Sequence, residues 1–155
     1  LWGDKTPTEA LAAALVDARV TGAPQFIAGL SMGGYGALRL GALHADQFQA
    51  ISAHSSITDF PQMAQFVEEP LTRFDLNDEH PLSVLECVKA NAHRLPPLRF
   101  DCGTSDPLIE PNRELHRRLE DAGIAHRYEE FSGGHEWTYW HAHLADTLRF
   151  FAKHV

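Results

Sequence analysis

The 155-residue sequence has few cysteines, few basic residues and no long apolar run. Its two cysteines, Cys87 and Cys102, are too few for a disulfide framework and are not spaced as zinc ligands. They are expected as one helix and one strand cysteine, reduced and buried. Only 13 Lys and Arg stand against 21 Asp and Glu, a net charge of −8 with no basic cluster. Such a chain repels polyphosphate, which argues against nucleic acid as a partner. No apolar stretch approaches the roughly 20 residues of a membrane span, which argues against a membrane partner. An initiator methionine is lacking too, because the chain opens "LWGDKTPTEA". It is therefore expected to be a piece of something longer, and no localisation is read from that end.

What is present is the composition of one globular domain, 44% apolar and 22% charged. Thr6 and Glu9 make a capping box around Pro7, and an alanine-rich and leucine-rich helix follows to Val20, stopped by "TGAP". A short apolar run at 25–30 has strand length, and 49–55, 97–103 and 126–131 read as further short strands. Between them lie helical patterns at 33–45, 81–94 (with Leu82, Leu85, Val88 and Lys89 at helical spacing) and 111–123. A last helix is expected at 136–153. The segment 56–80 mixes charges and aromatics without period and is expected as an irregular excursion with one short helix near 61–67. Strands alternating with helices of this length mean βαβ units. The fold class is therefore α/β, a parallel sheet of about four strands flanked by helices.

Chemistry concentrates in three loops. In "FIAGLSMGGYGALRL" (26–40), Ser31 sits between Gly29 and Gly33, at the turn from a strand into a helix. Asp106 follows the third strand in "CGTSDPLIEP", and His135 follows the fourth in "SGGHEW". In an open α/β sheet, reactive groups collect at the carboxyl ends of the strands. The order Ser, Asp, His is that of an α/β-hydrolase triad. A serine hydroxyl is a poor nucleophile, so an imidazole must take its proton, and a carboxylate must hold that imidazole in the right tautomer. Small residues at 29 and 33 are expected because bulk there would clash in a tight turn. Asp101 is a rival for Asp106 but lies inside a strand. His54, near the end of the second strand, is a lesser candidate for lining the site, and His141 and His143 are expected to be surface or packing residues of the last helix. "HEWTY" lacks the second histidine of a zinc motif, and "GGYGALR" lacks the last glycine of a dinucleotide fingerprint. No metal or nucleotide is indicated. Trp137, Tyr139 and Trp140 stand close enough to His135 in sequence to shape an acyl or aryl pocket, with Trp137 the candidate substrate contact, although aromatics at a helix start more often only pack.

With these residues in view, the chain resembles the esterase D family of α/β-hydrolases, which includes S-formylglutathione hydrolases and feruloyl esterases. The resemblance runs from about Phe26 to the C-terminus and is strongest in "GLSMGGYGAL" (29–38), "CGTSDPLI" (102–109) and "GGHEWTYW" (133–140). It implies Ser31 as nucleophile, Asp106 as acid, His135 as base and the Met32 amide as one oxyanion-hole donor. It also implies hydrolysis of carboxylic esters or thioesters through an acyl-enzyme, without a cofactor. An acyltransferase of the mycolyltransferase type is one alternative, and a non-catalytic module with an incomplete oxyanion hole is another. By the same resemblance the chain carries the C-terminal half of the fold, the last four strands of a sheet of about eight. The strand at 25–30 is then expected to pair on both sides, with a missing N-terminal half or with a second copy in a homo-oligomer. With one oxyanion donor missing, the isolated chain is expected to be a poor esterase, about 100- to 1,000-fold down in turnover.

Overall fold

Four segments of five or six residues become the strands of the sheet. The computed structural model describes residues 24–73 and 80–155, so the helix expected at 6–20, with its capping box, lies outside the described residues. Strands β1 (Phe26–Leu30), β2 (Ala50–His54), β3 (Leu98–Gly103) and β4 (Arg127–Phe131) pair in chain order, each parallel to its neighbour. Helices α1 (Met32–Leu43), α2 (Val84–Ala90), α3 (Ile109–Asp121) and α4 (Trp137–Phe151) flank the sheet. None of the helices in the described residues is long and apolar enough to cross a membrane.

Side chains alternate across a strand, so the register sorts residues onto two faces. On one face Ile51, Ala53, Leu98, Phe100 and Cys102 join Leu38 and Ala42 of α1, Val84 and Val88 of α2 and Leu115 and Leu119 of α3 in one core. Burying each large aliphatic or aromatic side chain contributes roughly 1.5–3 kcal/mol. Both cysteines are buried and reduced. Arg113 of α3 clasps Glu130 of β4 with two hydrogen bonds, and this pairing holds the Glu130 carboxyl below its ordinary range.

The opposite face lies under α4 and is polar at its centre, while Phe26 and Phe131 stack on Phe151 and His143 of that helix. Arg99, fully buried, donates to Asp101 Oδ2 at 2.7 Å, Glu129 Oε2 at 3.2 Å, Thr147 Oγ1 at 3.0 Å and Ser52 Oγ at 3.3 Å. His54 Nε2 meets Thr147 Oγ1 at 2.8 Å, and His54 Nδ1 lies 2.8 Å from Asp101 Oδ2 without the alignment of a hydrogen bond. A buried cation survives in such a place only when acceptors meet it, here at both terminal nitrogens of the guanidinium.

Two boundaries differ from expectation. The helix expected over 81–94 forms only at Val84–Ala90. At its start Ser83 is held in an antiparallel bridge with Asp59, and the carbonyls of Pro81 and Leu82 are taken by Arg39 Nε and the Tyr35 hydroxyl, both at 2.8 Å. At its end the Asn91 side chain donates to the Cys87 carbonyl at 2.9 Å, and the chain tightens into a 3₁₀ turn at Ala92–Arg94 ahead of Pro96 and Pro97. The excursion contains a 3₁₀ helix at Phe60–Gln65, capped by the Asp59 carboxylate, and a second 3₁₀ turn at Leu71–Arg73 that was not expected.

Among the described residues β1 has β2 as its one strand partner, and Ala28 in its middle is exposed. The second partner expected for this strand is not seen among the described residues.

Arg99→Met, which keeps the length of the side chain but removes its charge, strands the Asp101 carboxylate. Breaking a buried pair in this way costs about 3–5 kcal/mol. The urea midpoint of the variant is expected to fall accordingly, and an unchanged midpoint would show that the network adds nothing to stability.

Candidate active site

The first part of the site is a turn that no ordinary residue adopts without support. Ser31 leaves β1 and enters α1 at φ 53° and ψ −120°, a conformation that costs about 1–3 kcal/mol for a residue with a side chain. Backbone bonds hold it there. Its amide donates to the His54 carbonyl at 2.9 Å, and its carbonyl accepts from Tyr35 at 3.1 Å and Ile57 at 3.3 Å. Gly29 is required, because a Cβ there would sit 2.0 Å from the Gly33 carbonyl oxygen. The same expectation for Gly33 is corrected: among the described residues, a Cβ at Gly33 would meet nothing within 4 Å. Gly33 supplies the backbone that Gly29 lies against, while its own open side faces a cleft.

The second and third parts arrive from β3 and β4. Asp106 Oδ1 accepts from the Leu108 amide at 2.8 Å just ahead of α3, which fixes the carboxylate. Its side chain is fully buried, and His135 Nδ1 lies 2.9 Å from Oδ2 and 3.1 Å from Oδ1. A carboxylate only accepts, so this contact assigns the ring proton to Nδ1 and leaves Nε2 free to accept. Nε2 faces Ser31 Oγ at 2.8 Å. The structure thus brings together Ser31, Asp106 and His135 from three loops, across 104 residues of sequence between the serine and the histidine.

The rivals fall elsewhere. Asp101 lies in the polar layer with Arg99, and His54 lies there too, contributing only its backbone carbonyl to the serine turn. His143 stacks on Phe131 at 4.1 Å and pairs with Asp146, as a packing residue does, and His141 is exposed. Cys102 is no competing nucleophile: burial first, then the negative charge of Asp106, push its thiol far above the ordinary range, so it stays protonated. Among the described residues no group of three or more His, Cys, Asp or Glu could hold a metal ion.

A cleft of about 350 Å³ opens beside Ser31, lined by Leu30, Met32, Gly33, Ile57, Met63, Phe66 and Val67. Its apolar wall comes from the excursion. The Phe66 ring lies 5.0 Å from the His135 ring, and Trp140 meets the imidazole edge-on at 5.0 Å. Trp137 does not line this cleft. At the first position of α4 it is 74% exposed and rests edge-on against Trp140, so the aromatic that borders the cleft is Phe66. Phe66 had no sequence signal, because the excursion has no period from which to place it. Met32 is the first residue of α1, where backbone amides have no carbonyl to bond within the helix.

Two further glycines, Gly103 and Gly133, join the loops of Asp106 and His135. A Cβ on Gly103 would lie 2.4 Å from the Gly133 carbonyl oxygen, so the loops bearing Asp106 and His135 touch through bare backbone. Their signal was in the sequence, in "DCGTSD" and "SGGHEW", each glycine two or three residues before the acid or the histidine.

Parallel strands in this order, with helices on both faces, form part of an α/β-hydrolase fold. The model of the Esterase family, described as "Putative esterase", matches residues 8–151, and the chain belongs to that family, the esterase D family. It is 32% identical to an acetyl esterase of Caldicellulosiruptor saccharolyticus over 144 residues, which covers 83% of this chain and 54% of the relative. Among solved structures it is similar to S-formylglutathione hydrolase from Staphylococcus aureus, with a TM-score of 0.81 at 17% identity, covering 97% of this chain and 65% of that one. A ferulic acid esterase aligns at a TM-score of 0.74 and 30% identity, covering 96% of this chain and 59% of that one. The chain spans about half the length of the curated relatives it matches.

The two glycines that flank Ser31 should respond differently to a methyl group. Gly29→Ala is expected to cost at least about 1–3 kcal/mol by overpacking against backbone. Gly33→Ala should change stability by no more than about 0.5 kcal/mol. Thermal melts of the two variants side by side check this, and equal losses would contradict the geometry.

Proposed function

We propose that this chain carries the nucleophile, base and acid of a serine esterase acting on carboxylic esters or thioesters. The observation that carries the reading is the continuous contact from Ser31 Oγ through the His135 ring to the Asp106 carboxylate, at 2.8 Å and 2.9 Å. Membership of the Esterase family and the similarity to an acetyl esterase support it.

In this reading His135 Nε2 takes the proton of Ser31 Oγ as the oxygen attacks the ester carbonyl carbon. Asp106 keeps the ring proton on Nδ1 and stabilises the imidazolium that forms. The negative charge that develops on the carbonyl oxygen is met by the Met32 amide at the start of α1, where the helix dipole also favours an anion. The imidazolium then protonates the departing alcohol or thiol. Water, deprotonated by the same Nε2, attacks the acyl-enzyme and releases the acid and Ser31. The apolar cleft receives the hydrocarbon portion of the ester, and its mouth lies against the serine.

Two experiments test the reading. A fluorophosphonate probe should label the protein, and Ser31→Ala should abolish both the labelling and nearly all hydrolysis of p-nitrophenyl acetate while circular dichroism stays unchanged. Hydrolysis that survives Ser31→Ala would assign the chemistry to another group. Phe66→Ala opens the cleft wall, so KM for p-nitrophenyl butyrate should rise by about tenfold, the scale of a lost apolar contact, with a smaller effect on the acetate. Equal changes for both esters would place the hydrocarbon chain elsewhere.

A further inference from the structure

Tyr139, one of three aromatics after the histidine, touches the His135 loop at Gly133 and through it the Asp106 loop. Its side chain packs against Gly133: a Cβ added at Gly133, which has φ 141°, would come 2.7 Å from Tyr139 Cδ2 and 3.4 Å from Cβ and Cγ. The Gly133 carbonyl in turn accepts from the Ser105 amide at 2.9 Å and blocks any side chain at Gly103. His135 is two residues after Gly133, and Asp106 directly follows Ser105. The Tyr139 ring therefore backs the Ser105–Gly133 contact, which ties these two loops together beside the Thr104 amide's bond to the Phe131 carbonyl at 2.8 Å. Its own position is set from below, where its hydroxyl donates to Asp101 Oδ1 at 2.7 Å while Arg99 holds Oδ2. Tyr139 is 3% exposed and Asp101 fully buried, so water does not compete for this bond.

We propose that Tyr139, anchored by Asp101, is a positioning residue that sets the His135 imidazole against the Asp106 carboxylate. Burial, and then the Asp101 charge, push the Tyr139 phenol above its ordinary range, so it remains a donor throughout the pH range of folding. The polar layer under α4 is thereby coupled to the site: α4 carries Tyr139 one turn beyond His135, and the layer fixes how deep that turn sits. No contact with substrate is involved. The effect on turnover rests on the esterase reading, whereas the effect on the His135 ring does not.

The experiment separates the two. The His135 Nδ1–H proton, assigned by its loss in Asp106→Ala, is followed by NMR through its exchange with water in the 155-residue chain. Tyr139→Phe keeps the ring on Gly133 and removes only the hydroxyl. It should speed exchange of that proton by about two- to tenfold, the range that one hydrogen bond spans. Where p-nitrophenyl acetate is hydrolysed, it should lower kcat by a similar factor with KM unchanged. Thr147→Val is the control, because Thr147 bonds Ser52, His54 and Arg99 in the same layer but does not touch Gly133. It should cost comparable stability and leave the His135 proton as it is. Equal exchange in Tyr139→Phe and the wild type would overturn the proposal, and so would an equal acceleration in Thr147→Val, which would mean general loosening. Failure of Tyr139→Phe to fold while Thr147→Val folds would overturn it as well, by making the hydroxyl a folding requirement. A ring proton that responds as expected in a protein that no fluorophosphonate labels would uphold the positioning role and sink the esterase reading alone.

Discussion

Parallel pairing in chain order is the constraint from which the rest of this structure follows. Because β1, β2, β3 and β4 all point the same way, their carboxyl ends open along one edge of the sheet. The register is tight at that edge: Leu30 pairs with His54, His54 with Asp101, and Gly103 with Phe131. The residues that follow Leu30, Gly103 and Phe131 are the loops of Ser31, Asp106 and His135. A slip of one residue would turn every side chain of a strand to the opposite face and carry its loop along the edge by the rise of one residue. Hydrogen-bond reach between serine and histidine would not survive that displacement.

The register is secured differently on the two faces. The face under α1, α2 and α3 is apolar, and area removed from water holds it without directional demand. The face under α4 is a layer of Arg99, Asp101, His54, Ser52, Glu129 and Thr147, in which each contact has a required geometry. Apolar packing tolerates small shifts of a helix, whereas a buried guanidinium shared among four acceptors does not. The helix that begins beside His135 is the one placed on the exacting face, while those that follow Ser31 and Asp106 rest on the forgiving one. Strain is stored on the serine side, in the positive φ of Ser31, and is supported there by three backbone hydrogen bonds.

The edge of the sheet at β1 is unfinished among the described residues. An apolar strand with one partner presents unpaired amides and carbonyls, a template for further pairing. Ala28 is exposed at its centre, and Leu144 and Leu148 of α4 are exposed as well, at 51% and 60%. The chain spans about half the length of its curated relatives.

Local chemistry decided a good deal in advance. Short strand-length segments between helical patterns specify a parallel α/β sheet, since neither period can adopt the other's structure, and glycine beside Ser31 specifies a turn closed to side chains. Ser31, Asp106 and His135 were legible because each follows a strand, and strand ends are where such a sheet gathers reactive groups. Other features depended on partners distant in sequence. The helix over 81–94 was shortened by Arg39, Tyr35 and Asp59, none of which lies within it. Gly33 was free of contact because the cleft lies on its open side, and Phe66, not Trp137, came to border that cleft. Tyr139 met Asp101 across 38 residues, a pairing that no period or motif encodes. Sequence determines what each segment can be, because propensity and period act over a turn or two of chain. Which segments touch, and so which glycine must stay bare and which aromatic ring stands behind the histidine, is decided only when the sheet brings remote residues within a few ångströms.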